Sequence, residues 1–157
     1  MTKGEILDRL REKFKDSIMQ VSDKSLTRVY VDIHPDSLPG MGEFIFRSLG
    51  ARFNTASAMD TRSHIEILYH FTVETANLVI SLRVALDRKK PVIASMTKVL
   101  PAAEYIEREM HELLGIGFTG HPNLKRLLLP DEWPDGIYPL RQGYREWDKS
   151  AIRDRGV

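Results

Sequence analysis

The chain contains no cysteine among its 157 residues. This absence excludes disulfide bonds, cysteine-ligated iron–sulfur clusters and cysteine-ligated zinc sites within the chain. The chain also lacks any apolar run close to the roughly 20 residues that span a bilayer. Residues 1–14 are charged throughout, which is not the pattern of a signal peptide. The sequence therefore predicts a cytoplasmic protein that has no membrane span of its own.

The chain carries almost no net charge, because 23 lysines and arginines offset 22 aspartates and glutamates to leave +1. No long-range attraction to nucleic acid is expected from so small a charge. With 42% hydrophobic and 29% charged residues, the composition is typical of a soluble globular protein. The length is enough for one domain with a sizeable core and leaves little room for two.

Apolar periodicity predicts an α+β domain over residues 1–114. Helices are predicted over 4–15, 38–49 and 101–114. Strands are predicted over 18–21, 26–33, 52–59, 64–73, 77–86 and 92–96, with a turn at 22–25. The clean alternation in the longer strands is typical of antiparallel strands with one covered face. We therefore expect two layers, a mostly antiparallel sheet packed against helices.

The last helix carries an apolar stripe with acidic residues at its borders. At 100° per residue, Glu107 and Glu109 fall at the two edges of the stripe and Arg108 faces away. If assembly with a partner buries Glu107, we expect a cation or backbone donors to pair with it, because an unpaired buried carboxylate is costly. Glu107→Ala should then weaken assembly and leave the isolated fold nearly unchanged.

Residues 115–157 lack a strong helix or strand pattern, yet they are too apolar to stay solvated. Prolines along this stretch favour an extended chain. The sequence therefore predicts an irregular C-terminal arm that is mobile in the free protein, is cut by trypsin after Lys125, and becomes ordered on a partner subunit. Its expected anchors are aromatic and arginine side chains of the kind enriched in interfaces: Trp133, Tyr138, Arg141, Tyr144 and Trp147. The leucines 127–129 and Leu140 are expected to act as apolar anchors beside Trp133.

The order of residues from Glu107 to Arg141 resembles a known signature. The resemblance is to the thirty-kilodalton subunit family of NADH–quinone oxidoreductase, which is respiratory complex I. This family includes the matching subunit of membrane-bound, energy-converting nickel–iron hydrogenases. The positions that carry the signature, and that the resemblance implies for the interface, are Glu107, Arg108, Glu109, Glu112, Gly115, His121, Pro122, Lys125, Leu127, Leu128, Pro130, Asp131, Trp133, Pro139, Leu140 and Arg141.

The resemblance implies a non-catalytic subunit in the peripheral, cytoplasmic arm of a membrane-bound oxidoreductase. Its partners would be a large subunit, with a quinone or nickel–iron site, and an iron–sulfur small subunit. Any cofactor would belong to those partners, and contact with the membrane would come only through the complex. Gln142-Gly143 stands where the complex I branch typically has Lys-Asp after Pro-Leu-Arg. This departure favours a ferredoxin-linked, hydrogenase-type complex, and the thirty-kilodalton subunit of a quinone-reducing complex I is the alternative.

Two functions from other classes are weaker alternatives. A free-standing hydrolytic enzyme could use Glu107, His111 and Glu112 as acid–base groups. However, His111-Glu112 begins the HExxH zinc motif with Gly115 at the second histidine position. We therefore predict no metal site, and we expect Glu107 and His111 to form an i,i+4 surface pair.

The other alternative is a small nucleic-acid-binding module. Basic residues near Lys125 and Arg141 lie among aromatic side chains, but acidic residues are interleaved with them. His121, which precedes Pro122, is expected to make a loop hydrogen bond and to take no part in acid–base chemistry.

Overall fold

The structure, a computed structural model, describes residues 1–145. Its α-helices are α1 (Lys3–Phe14), α2 (Leu38–Glu43) and α3 (Ala103–Leu114). Its strands are β1 (Ile18–Ser25), β2 (Arg28–Ile33), β3 (Arg52–Asp60), β4 (His64–Val73), β5 (Leu78–Asp87), β6 (Val92–Ala94) and β7 (Gly117–Thr119). Helix α2 continues into a π-helical turn, Phe44–Ser48, and short 3₁₀ turns lie at Lys15–Ser17, Pro35–Ser37 and Glu74–Ala76.

Five strands form one mixed sheet in the order β1-β2-β5-β4-β3. The pairing of β2 with β5 is parallel, and the other three pairings are antiparallel. Strands β4 and β5 pair along their whole length, from His64 opposite Asp87 to Val73 opposite Leu78. Asn77 lies just before β5 with a left-handed φ of 45°, a conformation that asparagine tolerates better than most residues. The predicted mostly antiparallel sheet is confirmed.

One face of the sheet carries the hydrophobic core and the other is polar. Ile67, Tyr69 and Phe71 of β4 are fully buried together with Ile6 of α1 and Ile45 of the π-helical turn that follows α2. Burying a side chain of this size stabilises the fold by roughly 1.5–3 kcal/mol. The opposite face carries ion pairs. For example, the Arg83 guanidinium donates two hydrogen bonds to the Asp32 carboxylate, at 2.6 and 2.7 Å. This is the two-layer α+β arrangement that the alternation predicts.

Two local predictions are wrong. Residues 22–25, predicted as a turn, belong to β1, which stays paired as far as Ser25 opposite Arg28. The turn therefore falls at Leu26 and Thr27, and the polar sequence of β1 fits its place at the edge of the sheet.

Strand β7 lies in the segment that was predicted to be irregular. It pairs in parallel with β6, and it is too short for alternation to reveal. Ile116 and Phe118 beside and within it are buried in the core. The core of the domain therefore extends to β7 and does not end at residue 114.

From residue 120 to residue 145 the chain has no helix or strand, and it runs back over its own domain. For example, the backbone N–H of Leu140 donates to the carbonyl of Leu113 at 3.0 Å. We call residues 120–145 the tail. These contacts place residues 120–145 against their own domain and not in an extended arm, whereas mobility in the free chain and docking on a partner stay predictions. No helix in residues 1–145 is long and apolar enough to cross a membrane.

Candidate docking surface

Glu107 lies in the core of the domain, with none of its surface exposed. Its Oε1 accepts hydrogen bonds from the Tyr69 hydroxyl at 2.9 Å and from the backbone N–H of Met96 at 2.7 Å. Its Oε2 accepts one from the Ser95 hydroxyl at 2.5 Å. Burial, with the neighbouring carboxylate, raises the pKa of Tyr69 well above its usual value. Burial of Glu107 therefore does not wait for assembly, because its own domain already buries it and supplies its hydrogen-bond donors.

The two histidines near Glu107 bind backbone carbonyls. His111 Nδ1 lies 2.7 Å from the carbonyl of Ile116, so the surface pair predicted between His111 and Glu107 does not form. His121 Nδ1 accepts from the backbone N–H of Asn123 at 3.0 Å, and its Nε2 therefore carries the hydrogen that points to the Glu104 carbonyl at 3.0 Å. This is the loop hydrogen bond predicted for His121. The ring connects the start of the tail to α3.

Glu112 and Arg108 clamp the middle of the tail against α3. The buried Glu112 carboxylate accepts from the backbone N–H groups of Leu127 at 2.9 Å, Leu128 at 2.6 Å and Leu129 at 3.4 Å. Arg108 donates from Nε to the carbonyl of Lys125 at 2.9 Å and from Nη2 to the carbonyl of Arg126 at 2.7 Å. Arg108, predicted to face away from the domain, therefore binds the tail. Together the two side chains fix the backbone from Lys125 to Leu129.

A second set of contacts holds the far end of the tail. Arg141 donates to the carbonyls of Leu114 at 2.5 Å and Arg88 at 3.0 Å. The buried Asp60 carboxylate accepts two hydrogen bonds from Arg88, at 2.7 and 2.8 Å, and one from the backbone N–H of Gln142 at 2.9 Å. The Arg88 hydrogen bonds are the main reason why the pKa of Asp60 lies well below its usual range. Sequence reasoning missed Asp60 and Arg88, because nothing local links them to the tail.

Gly115 ends α3 and receives a tail side chain. Its φ is +75°, and a Cβ placed on it would lie 2.5–2.8 Å from three ring atoms of Tyr138. Glycine is therefore required here both for the left-handed helix end and for the close approach of the tail.

A Gly115→Ala substitution is expected to displace Tyr138 and loosen the tail. Left-handed backbone costs a non-glycine residue roughly 1–2 kcal/mol, and the ring contact adds to this cost. The matched control is Gly120→Ala, where φ is +81° and no atom lies within 4 Å of the added Cβ. Thermal melts should show a larger loss for Gly115→Ala. Equal losses in the two variants would show that Tyr138 does not pack on Gly115.

The outward side of the tail exposes large apolar side chains. Leu127, Leu128 and Leu140 are 37%, 62% and 57% exposed. Pro122, Pro130 and Asp131 are also exposed, whereas Pro139 is half-buried. Trp133, half-buried, donates from Nε1 to the Ile137 carbonyl at 2.8 Å and stacks on Tyr144. Trp147, predicted as a further anchor, lies outside the described residues. We call Leu127, Leu128 and Leu140 the leucine face. Glu112 accepts from the backbone N–H groups of Leu127 and Leu128, and the N–H of Leu140 donates to the Leu113 carbonyl.

The three residues proposed for an acid–base enzyme do not meet at one site, because His111 and Glu112 line a cavity that Glu107 does not reach. Glu107, His111 and Glu112 each bind a different part of their own domain, as described above. A cavity of about 270 Å³ lies under the tail, lined by His111, Glu112 and tail residues including Asp135. Glu112 already binds tail amides there. Within residues 1–145, no three histidine, aspartate or glutamate side chains are grouped to hold a metal ion.

Comparison with known proteins identifies the family. Residues 31–149 match the family described as respiratory-chain NADH dehydrogenase, 30 Kd subunit. The chain belongs to this family. The match covers both the sheet domain and the tail, so the resemblance carried by residues 107–141 is confirmed.

Relatives in this 30 Kd subunit family come from several kinds of enzyme complex. The chain is 32% identical over 154 residues to a subunit of F(420)H(2) dehydrogenase of Methanosarcina mazei, covering 95% of this chain and 96% of that one. It is 32% identical over 144 residues to a subunit of NADH-quinone oxidoreductase of Roseiflexus sp. (strain RS-1), covering 87% and 80%. It is 31% identical over 140 residues to formate hydrogenlyase subunit 5 of Escherichia coli (strain K12), covering 87% of this chain but only 25% of that longer protein.

Two solved structures share the fold. A chain of the membrane-bound sulfane sulfur reductase, an archaeal respiratory membrane complex, superposes with a TM-score of 0.82 at 21% identity, covering 98% of this chain and 94% of that one. A trypsin-resistant fragment of Nqo5 gives a TM-score of 0.66 at 18% identity, covering 79% and 100%. These likenesses confirm the α+β fold.

Proposed function

We propose that this 30 Kd-family chain is a non-catalytic docking subunit of a membrane-bound, energy-converting oxidoreductase. It attaches to the large catalytic subunit of that complex through the leucine face. The observation that supports this most is that Leu127 and Leu128 are exposed on a backbone that Glu112 and Arg108 hold against α3. Exposed apolar side chains on a rigid support bind a partner without a large cost of ordering.

The chemistry of the complex belongs to its other subunits in this proposal. The large subunit holds a quinone or nickel–iron site, and an iron–sulfur small subunit passes electrons to it. Relatives of this chain are named as subunits of an NADH-quinone oxidoreductase, an F(420)H(2) dehydrogenase and a formate hydrogenlyase, which supports assembly with such partners. The chain then lies on the cytoplasmic side of the membrane and touches the membrane only through the complex.

We assign the complex to the ferredoxin-linked, hydrogenase-type branch. The supporting feature is Gln142, which stands where the complex I branch typically has a lysine. Gln142 Oε1 accepts from Arg62 Nε at 3.2 Å, and its backbone N–H binds Asp60. A lysine could not accept the Arg62 hydrogen bond. The purified complex should oxidise reduced ferredoxin with release of hydrogen, whereas quinone-dependent activity would place it in the complex I branch.

A Leu128→Glu substitution tests the docking proposal. A carboxylate placed in an apolar interface is left unpaired, at a cost of several kcal/mol, so recovery of the large subunit with the tagged chain should fall at least about tenfold. The control is Leu26→Glu, at a leucine that is 91% exposed on the β1–β2 turn and outside the leucine face. Unchanged recovery with Leu128→Glu would contradict docking through this surface.

A further inference from the structure

Two cavities lie between the edge strand β3 and helix α3. The first, about 280 Å³, is lined by residues 53–55 of β3, by Tyr105 and Ile106 of α3, and by Leu127 of the tail. The second, about 180 Å³, is lined by residues 56–58 of β3, by Leu113 and other residues of α3, and by Leu140. Ile106 and Glu109 border both. We call the two cavities together the β3–α3 groove.

Strand β3 forms one wall of the groove and lies at one edge of the sheet. Within residues 1–145 it pairs with β4 alone, so no strand covers its other edge. An uncovered edge presents backbone donors and acceptors to any extended chain that comes alongside. Many proteins bind peptides in this way, with main-chain hydrogen bonds for affinity and side-chain pockets for selectivity.

Glu109 gives the groove a charge that nothing in the described chain balances. It is half-buried and borders both cavities, and it makes no hydrogen bond or ion pair with any of residues 1–145. The walls around Glu109 are apolar and include Ile106 and Met110 of α3 and Ala58 of β3. If an apolar chain covered this carboxylate without a partner cation, the uncompensated buried charge would oppose binding. The groove therefore fits an occupant that supplies one positive charge among apolar side chains.

We propose that the β3–α3 groove binds an extended segment of the partner subunit, which adds to β3 as a further strand and places a lysine or arginine against Glu109. This inference rests on the docking function proposed above and names a second contact for it. Leu127 and Leu140 of the leucine face also line the groove, one in each cavity. A single partner that covers the leucine face is therefore placed to continue into the groove.

A second copy of this chain is a poorer occupant. A symmetric pairing of two grooves brings the same surface of both copies together. Each copy would then add its own Glu109 to the contact, so like charges would meet in an apolar setting. A partner segment with a basic residue has no such conflict.

The inference is tested with overlapping synthetic peptides that cover the subunits co-purifying with the chain. Fluorescence anisotropy should find a peptide that binds the full-length chain and carries a basic residue flanked by apolar ones. Glu109→Lys should weaken this binding at least about tenfold. Glu104→Lys, on the same helix but outside the groove lining, should leave it unchanged. Replacing the basic residue of the peptide with glutamate should restore binding to the Glu109→Lys chain.

Several results would overturn the inference. One is that no peptide binds. Another is that a peptide binds the Glu109→Lys chain as tightly as the unsubstituted chain while the two chains have the same melting curve. The third is a dimer of the free chain that depends on Glu109. Co-purification separates this inference from the docking function. If Leu128→Glu abolishes co-purification of the large subunit and Glu109→Lys does not, the groove proposal is wrong and the docking function stands. If only Glu109→Lys abolishes co-purification, the partner docks at the groove, and docking through the leucine face is contradicted.

Discussion

Glu107→Ala should destabilise the isolated chain by roughly 3 kcal/mol or more, because it leaves three hydrogen-bond donors without their acceptor in the core. The donors are the Tyr69 hydroxyl, the Ser95 hydroxyl and the backbone N–H of Met96. They belong to β4 and to the segment before α3, so the carboxylate joins the helix to the sheet. For a domain of this size, such a loss lowers the melting temperature by about 6–12 °C.

The matched control is Glu107→Gln. The glutamine oxygen can accept from Tyr69 and Met96, and its amide group can donate to the Ser95 oxygen. This variant should therefore keep most of the stability that alanine loses. Melting curves for both variants, recorded on the isolated chain, are the measurement. If Glu107→Ala melts within about 2 °C of the unsubstituted chain, which is less than 1 kcal/mol, the carboxylate does not hold helix and sheet together.

Glu112→Ala should release the tail and leave the sheet domain folded. Hydrogen bonds to a charged group contribute roughly 1.5–3 kcal/mol each, and Glu112 accepts them from Leu127 and Leu128 at 2.9 and 2.6 Å. We expect hydrogen exchange at these amides to speed up by on the order of a hundredfold. Trypsin should then cut after Lys125 and Arg126, whose carbonyls Arg108 binds in the closed tail.

The control for tail release is Glu104→Ala. Glu104 lies on the same helix, its side chain makes no hydrogen bond or ion pair with residues 120–145, and the backbone carbonyl that binds His121 is kept by alanine. Its exchange and cleavage should match the unsubstituted chain. Equal tail protection in Glu112→Ala and the unsubstituted chain would mean that the carboxylate does not clamp the tail.

The helices and strands could be predicted from the sequence because their signals are local. Alternation from His64 to Val73 defined β4 to the residue, and Gly115 marked the end of α3. The surroundings of Glu107 could not be predicted in this way. A helical wheel shows where a residue lies around the helix axis, but it does not show that Tyr69, 38 residues away, supplies a buried hydroxyl.

The position of the tail depends on still longer connections. Asp60 binds Gln142 across 82 residues, and each residue alone reads as an ordinary polar side chain near a turn. Prolines and scattered aromatics showed correctly that the tail is neither helix nor strand from residue 120. They could not show that buried carboxylates of its own domain, Glu112 and Asp60, satisfy its backbone amides.

The central claim is that the folded-back tail presents the leucine face to a partner subunit. Because the chain has no cysteine, Leu128→Cys introduces a single thiol whose maleimide labelling can be followed by mass spectrometry of this chain. The thiol should react readily in the isolated chain and be protected in the purified complex, whereas the thiol of a Leu26→Cys control should react in both. A Leu128→Cys thiol that labels as fast in the complex as in the free chain would contradict the claim.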